Sequence, residues 1–96
     1  MITVVAKNIV KEGKLEEFKA LAKILVKETN QKDAGCIKYE LYEDTSNPNV
    51  LTFIEQWENQ GALDKHMAAK HFQEYVPQMG ALTEGEEPLG LYKKLY

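Results

Sequence analysis

Glu55, Trp57, His66 and His71 fall in the one stretch from Phe53 to Phe72. These side chains can move protons near neutral pH, exchange hydrogen bonds and stack on a planar ring. Glu55 stands between Phe53 and Trp57 in an alternating run, so the three share one strand face. A carboxylate on an apolar face needs a partner or takes a raised pKa, which makes Glu55 an acid/base candidate or a structural acceptor for His66 or a helix amide. The Trp57 indole can donate to a ligand oxygen or simply fill the core. His66 is the stronger general-base candidate. His71 can equally pack beside Phe72 or at a subunit interface. The two histidines are five residues apart, about 140° around a regular helix. Helical metal-ligand pairs favour i,i+4, and no cysteine or acidic ligand cluster adjoins them, so the spacing argues against a metal unless the helix breaks between them.

The elements that must position these residues follow from periodicity. Residues 2–9 are β-branched and read as a first strand. Leu15, Phe18, Leu21, Ala22, Leu25 and Val26 recur at helical spacing through Thr29, with lysines and glutamates opposite, as in a helix lying on a sheet. Residues 36–43 alternate and form a second strand, and the Asp44–Asn49 turn cluster joins it to a third at 50–57. Asn59 is a good N-cap for a second helix from about Gln60 to Tyr75, after which Pro77 should force a break or a fresh turn. Residues 80–87 read as a loop and 88–96 as a last strand. The order βαββαβ is that of a ferredoxin-like α+β fold with an antiparallel sheet, in a single domain spanning 1–96.

Strand alternation also predicts the sheet faces. Ile2, Val4, Ala6 and Asn8 share a side in strand one, and Leu51, Phe53, Glu55 and Trp57 in strand three. In strand two, Ile37, Tyr39 and Leu41 should oppose Cys36, Lys38, Glu40 and Tyr42. The reverse face, with Val5, Ile9, Val50 and Ile54, is too apolar to leave open to water and predicts a two-fold homodimer packed sheet on sheet.

Composition narrows the function classes. The chain has 96 residues, 44% hydrophobic and 28% charged, with a net charge of −3. All 12 basic residues are lysines. Without the planar arginine fork or a basic cluster, nucleic acid and nucleotide cofactors are poor partners. No long apolar run or basic leader occurs, and the single Cys36 fits a reducing cytoplasm better as a small buried residue than as a nucleophile.

The series Gly35-Cys36, Tyr39-Glu40-Leu41-Tyr42, Phe53, Glu55-Gln56-Trp57, Ala62, His66 and His71-Phe72 resembles the antibiotic biosynthesis monooxygenase family. The resemblance implies a dimeric α/β barrel with a cavity between sheet and helices in each subunit. It also implies that Asn8, Glu55, Trp57 and His66 point into that cavity as catalytic candidates, with Tyr39, Phe53, His71 and Phe72 lining it for substrate. By the same resemblance, the activity is oxidation of a small aromatic or quinol-type substrate by dioxygen with no metal or flavin. The family also holds haem-degrading enzymes, which share an Ala-x-Asn pattern seen here at Ala6–Asn8. Haem is therefore the alternative cofactor, with only lysines to meet its propionates. The same histidine and glutamate would also suit an isomerase of a small hydroxylated ketone, and the same cavity a non-catalytic protein that binds a small molecule and releases it unchanged.

Overall fold

The computed structural model describes residues 1–96 and has the order β1 (Ile2–Ile9), α1 (Leu15–Lys32), β2 (Cys36–Glu43), β3 (Val50–Trp57), α2 (Gln60–Ala68), α3 (Lys70–Gly80) and β4 (Gly90–Lys93). The four strands form one antiparallel sheet in the order β2-β3-β1-β4. This is the expected ferredoxin-like α+β fold. β1 and β3 are central, and their register pairs Val4 with Glu55, Ala6 with Phe53 and Asn8 with Leu51. Those side chains therefore lie together on the helix-facing side. α1 presents Phe18, Ala22, Leu25 and Thr29 to that face, all at most 1% exposed. The β2–β3 turn is built by Asp44, whose Oδ1 accepts from the backbone N–H of Ser46 at 2.8 Å and of Asn47 at 3.1 Å.

Four sequence expectations are corrected. The second helix is two helices. Ala69 adopts an extended ψ of 150° and its N–H bonds back to the His66 carbonyl, closing α2. The cause is tertiary, because Met67-Ala68-Ala69-Lys70 contains no helix breaker. Pro77 causes no break; it sits inside α3, which runs on to Gly80. The register of β2 shifts between Cys36 and Lys38, which places Cys36 opposite Trp57 on the helix side and leaves Ile37 half exposed. The last strand is short, Gly90–Lys93 rather than 88–96, and Leu95 and Tyr96 project into solvent. Asn59 caps α2 as expected, its Oδ1 accepting from the Ala62 N–H at 2.9 Å. No helix is long and apolar enough to cross a membrane.

Gly35 joins the α1 side to the start of α2. Its φ is +80°, and a Cβ there would lie 2.6 Å from the Ala62 Cβ. Its carbonyl also accepts the Glu58 N–H at 2.9 Å. Gly35→Ala should therefore lower stability by about 2 kcal/mol or more, from left-handed backbone strain and the clash together. Urea denaturation of the two proteins measures this.

Candidate active site

Between the sheet and the helices lies a cavity of about 180 Å³. Fifteen residues line it, 11 of them hydrophobic. β1 contributes Val4, Ala6 and Asn8, β2 contributes Tyr39, and β3 contributes Phe53 and Glu55. Leu63, His66 and Met67 of α2 and Phe72, Val76 and Met79 of α3 form the opposite wall. Asn8, Tyr39, Phe53, Glu55, His66 and Phe72 are thus brought to one space. Trp57 and His71 are buried but do not border it.

Each polar group has a defined environment. The Trp57 indole N–H donates to Glu55 Oε1 at 2.9 Å, so Trp57 is a holder of the carboxylate rather than a free donor to a ligand. Glu55, 5% exposed, is pushed up to about 7 by burial, with the Trp57 N–H pulling the other way. Its structural partner is therefore Trp57 and neither His66 nor a helix amide. Asn8 Nδ2 donates to the Ala6 carbonyl at 3.1 Å. Burial holds the Tyr39 hydroxyl well above the usual phenol range, reinforced by the charges of Glu55 and Asp33. Tyr39 is therefore a neutral donor at any physiological pH.

His66 is packed between aromatic rings. Its centroid lies 4.6 Å from Trp57, 5.2 Å from Tyr39 and 5.0 Å from Phe72. Burial lowers its pKa, while the hydrogen bond and charge of Asp33 act in the opposite direction and His71 adds to the lowering. Nδ1 meets Asp33 Oδ2 at 2.6 Å, and Nε2 has no protein hydrogen-bond partner. The one fully enclosed side-chain polar atom without a partner is Thr29 Oγ1. His66 Nε2 and the unpartnered Tyr39 hydroxyl therefore keep open space beside them.

Asp33 is the functional candidate that sequence reasoning missed. It closes α1, where its N–H bonds to the Thr29 carbonyl. It also receives His71 Nε2, at 2.9 Å from Oδ1 and 3.0 Å from Oδ2. A loop aspartate between α1 and Gly35 carries little signal. The one available hint is electrostatic: a carboxylate at a helix C-terminus faces the negative end of the dipole and needs compensation. The helix break at Ala69 meets the one condition under which the two histidines could converge. Both reach Asp33, and the three ligand-type atoms lie within 4.8 Å of one another, a set that could hold a divalent cation.

An antiparallel ferredoxin-like sheet and its helices thus flank a largely apolar cavity walled by strand and helix aromatics. The sequence model of the antibiotic biosynthesis monooxygenase family matches residues 1–78, and the chain belongs to that family. It is 40% identical over 94% of its length to an uncharacterised Synechocystis protein, sll1783, and spans 61% of that relative. It is 33% identical, over 79% of each chain, to a Bacillus subtilis protein named "Putative monooxygenase YcnE". A solved structure of a conserved protein from Methanosarcina mazei is 41% identical and superposes with a TM-score of 0.93 over 98% of this chain and 92% of that one.

The Glu55 environment couples stability to pH. Its folded pKa of about 7 lies above the ordinary 4.5, so the fold binds the proton more tightly than the unfolded chain does. Stability is then fully present below about pH 4.5 and falls as the pH rises through 7, by up to about 3 kcal/mol. Glu55→Gln keeps an acceptor for Trp57 and removes the charge. The variant should lose markedly less stability than the parent between pH 5 and pH 8, measured by urea denaturation at each pH.

Proposed function

We propose that the chain is a monooxygenase that oxidises a single-ring phenol or quinol with dioxygen, without flavin, metal or haem taking part. The observation that carries this reading is His66: a buried, depressed-pKa imidazole with a free Nε2 on the wall of an apolar cavity that also holds Glu55 and the Tyr39 hydroxyl. A depressed pKa keeps the imidazole neutral at pH 7, ready to take a phenolic proton. The resulting anion is electron-rich and can pass an electron to dioxygen. One oxygen atom joins the ring and the other leaves as water, so a quinol gives a hydroxyquinone. Asn8 and Tyr39 supply donors toward an oxygenated intermediate, and the apolar lining keeps bulk water away from it. Glu55, held by Trp57, is the second acid/base group. Phe53 and Phe72 offer ring faces to a planar substrate.

The size of the cavity supports a small substrate. At about 180 Å³ it falls below the roughly 300–1,000 Å³ common for larger organic ligands. That volume favours a single ring over a macrocycle such as haem. The reading includes a homodimer formed through the reverse face of the sheet, where Val5, Ile9 and Ile54 stay partly exposed while Val50 is buried. It places the protein in the cytoplasm.

Oxygen uptake after anaerobic mixing with a panel of single-ring phenols and quinols tests the reaction. At least one substrate should consume oxygen and yield the hydroxylated quinone. His66→Ala should lower kcat by about 10²–10⁴-fold. A protein that takes up no oxygen with any of the panel, or whose turnover is untouched in His66→Ala, is not the enzyme described.

A further inference from the structure

His66 can act on a substrate only if its proton sits on the nitrogen away from the cavity. We propose that Asp33, which does not border the cavity, is the positioning residue that puts it there, and that His71 is the anchor that holds Asp33 in place. The proposal rests on the reading of His66 as the base, and its structural half can be tested without any substrate.

The geometry is specific. Asp33 Oδ2 lies 2.6 Å from His66 Nδ1, and the side chains are 8% and 2% exposed. A carboxylate offers only acceptors, so a neutral imidazole facing it must carry its proton on Nδ1. Nε2 then bears the lone pair, and it is the ring nitrogen with no protein partner. His71 Nε2 reaches both oxygens of the same carboxylate, at 2.9 Å and 3.0 Å. Asp33 thus accepts from two imidazoles on two helices and cannot turn away from His66 without breaking the second contact. The chain departs from a regular helix at Ala69 to bring both rings to this carboxylate. An Asp–His pair of this kind sets the tautomer and orientation of a catalytic imidazole, and amidation of the acid reverses the tautomer.

The same three residues carry ligand atoms for a cation. Their separations of 2.6–3.0 Å are hydrogen-bond lengths. Zinc held by imidazole nitrogen at about 2.0–2.1 Å in tetrahedral geometry spaces its ligand atoms more widely, so a cation would have to open the contact. It would also lie on the side of His66 away from the cavity.

Long-range ¹H–¹⁵N correlation spectra of the full-length protein decide the matter. In the parent, His66 should show a protonated Nδ1, with its proton shifted strongly downfield, and an unprotonated Nε2. In Asp33→Asn the charge is lost and one of the two acceptor oxygens becomes an N–H donor, which favours an unprotonated ring nitrogen opposite it, so the Nδ1–H signal of His66 should be lost or divided between tautomers. In oxygen uptake, Asp33→Asn should lower kcat by about 10²–10⁴-fold with KM changed less than about threefold, and Asp33→Glu should recover part of the loss. A parent spectrum with the proton on Nε2 overturns the proposal, as does an Asp33→Asn protein with unchanged tautomer and kcat. Should Asp33→Asn fail to fold, the parent spectrum alone decides. One equivalent of Zn²⁺ bound to the parent and lost in both Asp33→Asn and His71→Gln also overturns it in favour of a metal site. If no substrate of the panel is turned over, the proposed reaction fails while the spectra still decide the pairing.

Discussion

One buried carboxylate joins the C-terminus of α1 to α2 and α3. Asp33 accepts from His66 and His71, and without those donors it would be a desolvated charge at the unfavourable end of a helix dipole. Charge-assisted hydrogen bonds contribute about 1.5–3 kcal/mol each when buried, enough to offset an irregular residue in a helix. The break at Ala69 is what lets both rings reach Asp33. A regular helix would turn His66 and His71 about 140° apart, and the chain gives up helical continuity to bring both rings to one acceptor. From α3, Phe72, Val76 and Met79 line the cavity wall beside His66.

The second constraint comes from the sheet. Antiparallel pairing of β1 with β3 sets Glu55 opposite Val4 and beside Ala6 and Phe53, so a charged side chain is surrounded by apolar ones. Trp57, two residues on and on the same face, is the donor that the strand period places within reach. A single N–H does not offset the loss of water, and Glu55 stays well above its ordinary pKa. The strand therefore carries a group that titrates near neutral pH, a property that costs stability and has no structural benefit that a glutamine would lack.

Much of this was legible from residue types. Alternation in β1 and β3, the helical stripe of α1, the Asn59 cap and the Asp44–Asn49 turn all depend on neighbours close in sequence, and the fold they imply is the one observed. The cavity placement of Asn8, Glu55 and His66 was likewise implied by the family resemblance. What escaped depends on contacts distant in sequence. The register shift after Cys36 moves that residue and Ile37 to the opposite faces from simple alternation. Nothing local to Ala69 interrupts a helix, and nothing local to Asp33 marks a buried acceptor. Trp57 was misplaced for a related reason: sharing a face with Glu55 shows that the two can meet, but not that the indole is thereby used up.

The two halves of the site are tuned in opposite directions by the same physical cause. Burial raises the carboxyl of Glu55 and lowers the imidazole of His66, because in each case it disfavours the charged form. Each has one polar partner opposing the shift, Trp57 for the acid and Asp33 for the base. The result is a neutral base and a carboxyl poised about pH 7 on facing walls of one largely apolar cavity, a pairing suited to moving a proton from a weakly acidic hydroxyl and returning it elsewhere. The carboxyl of Glu55 could not hold that state in water. The apolar lining is thus a condition of the chemistry as well as a binding surface, and the aromatic rings around His66 serve both ends at once.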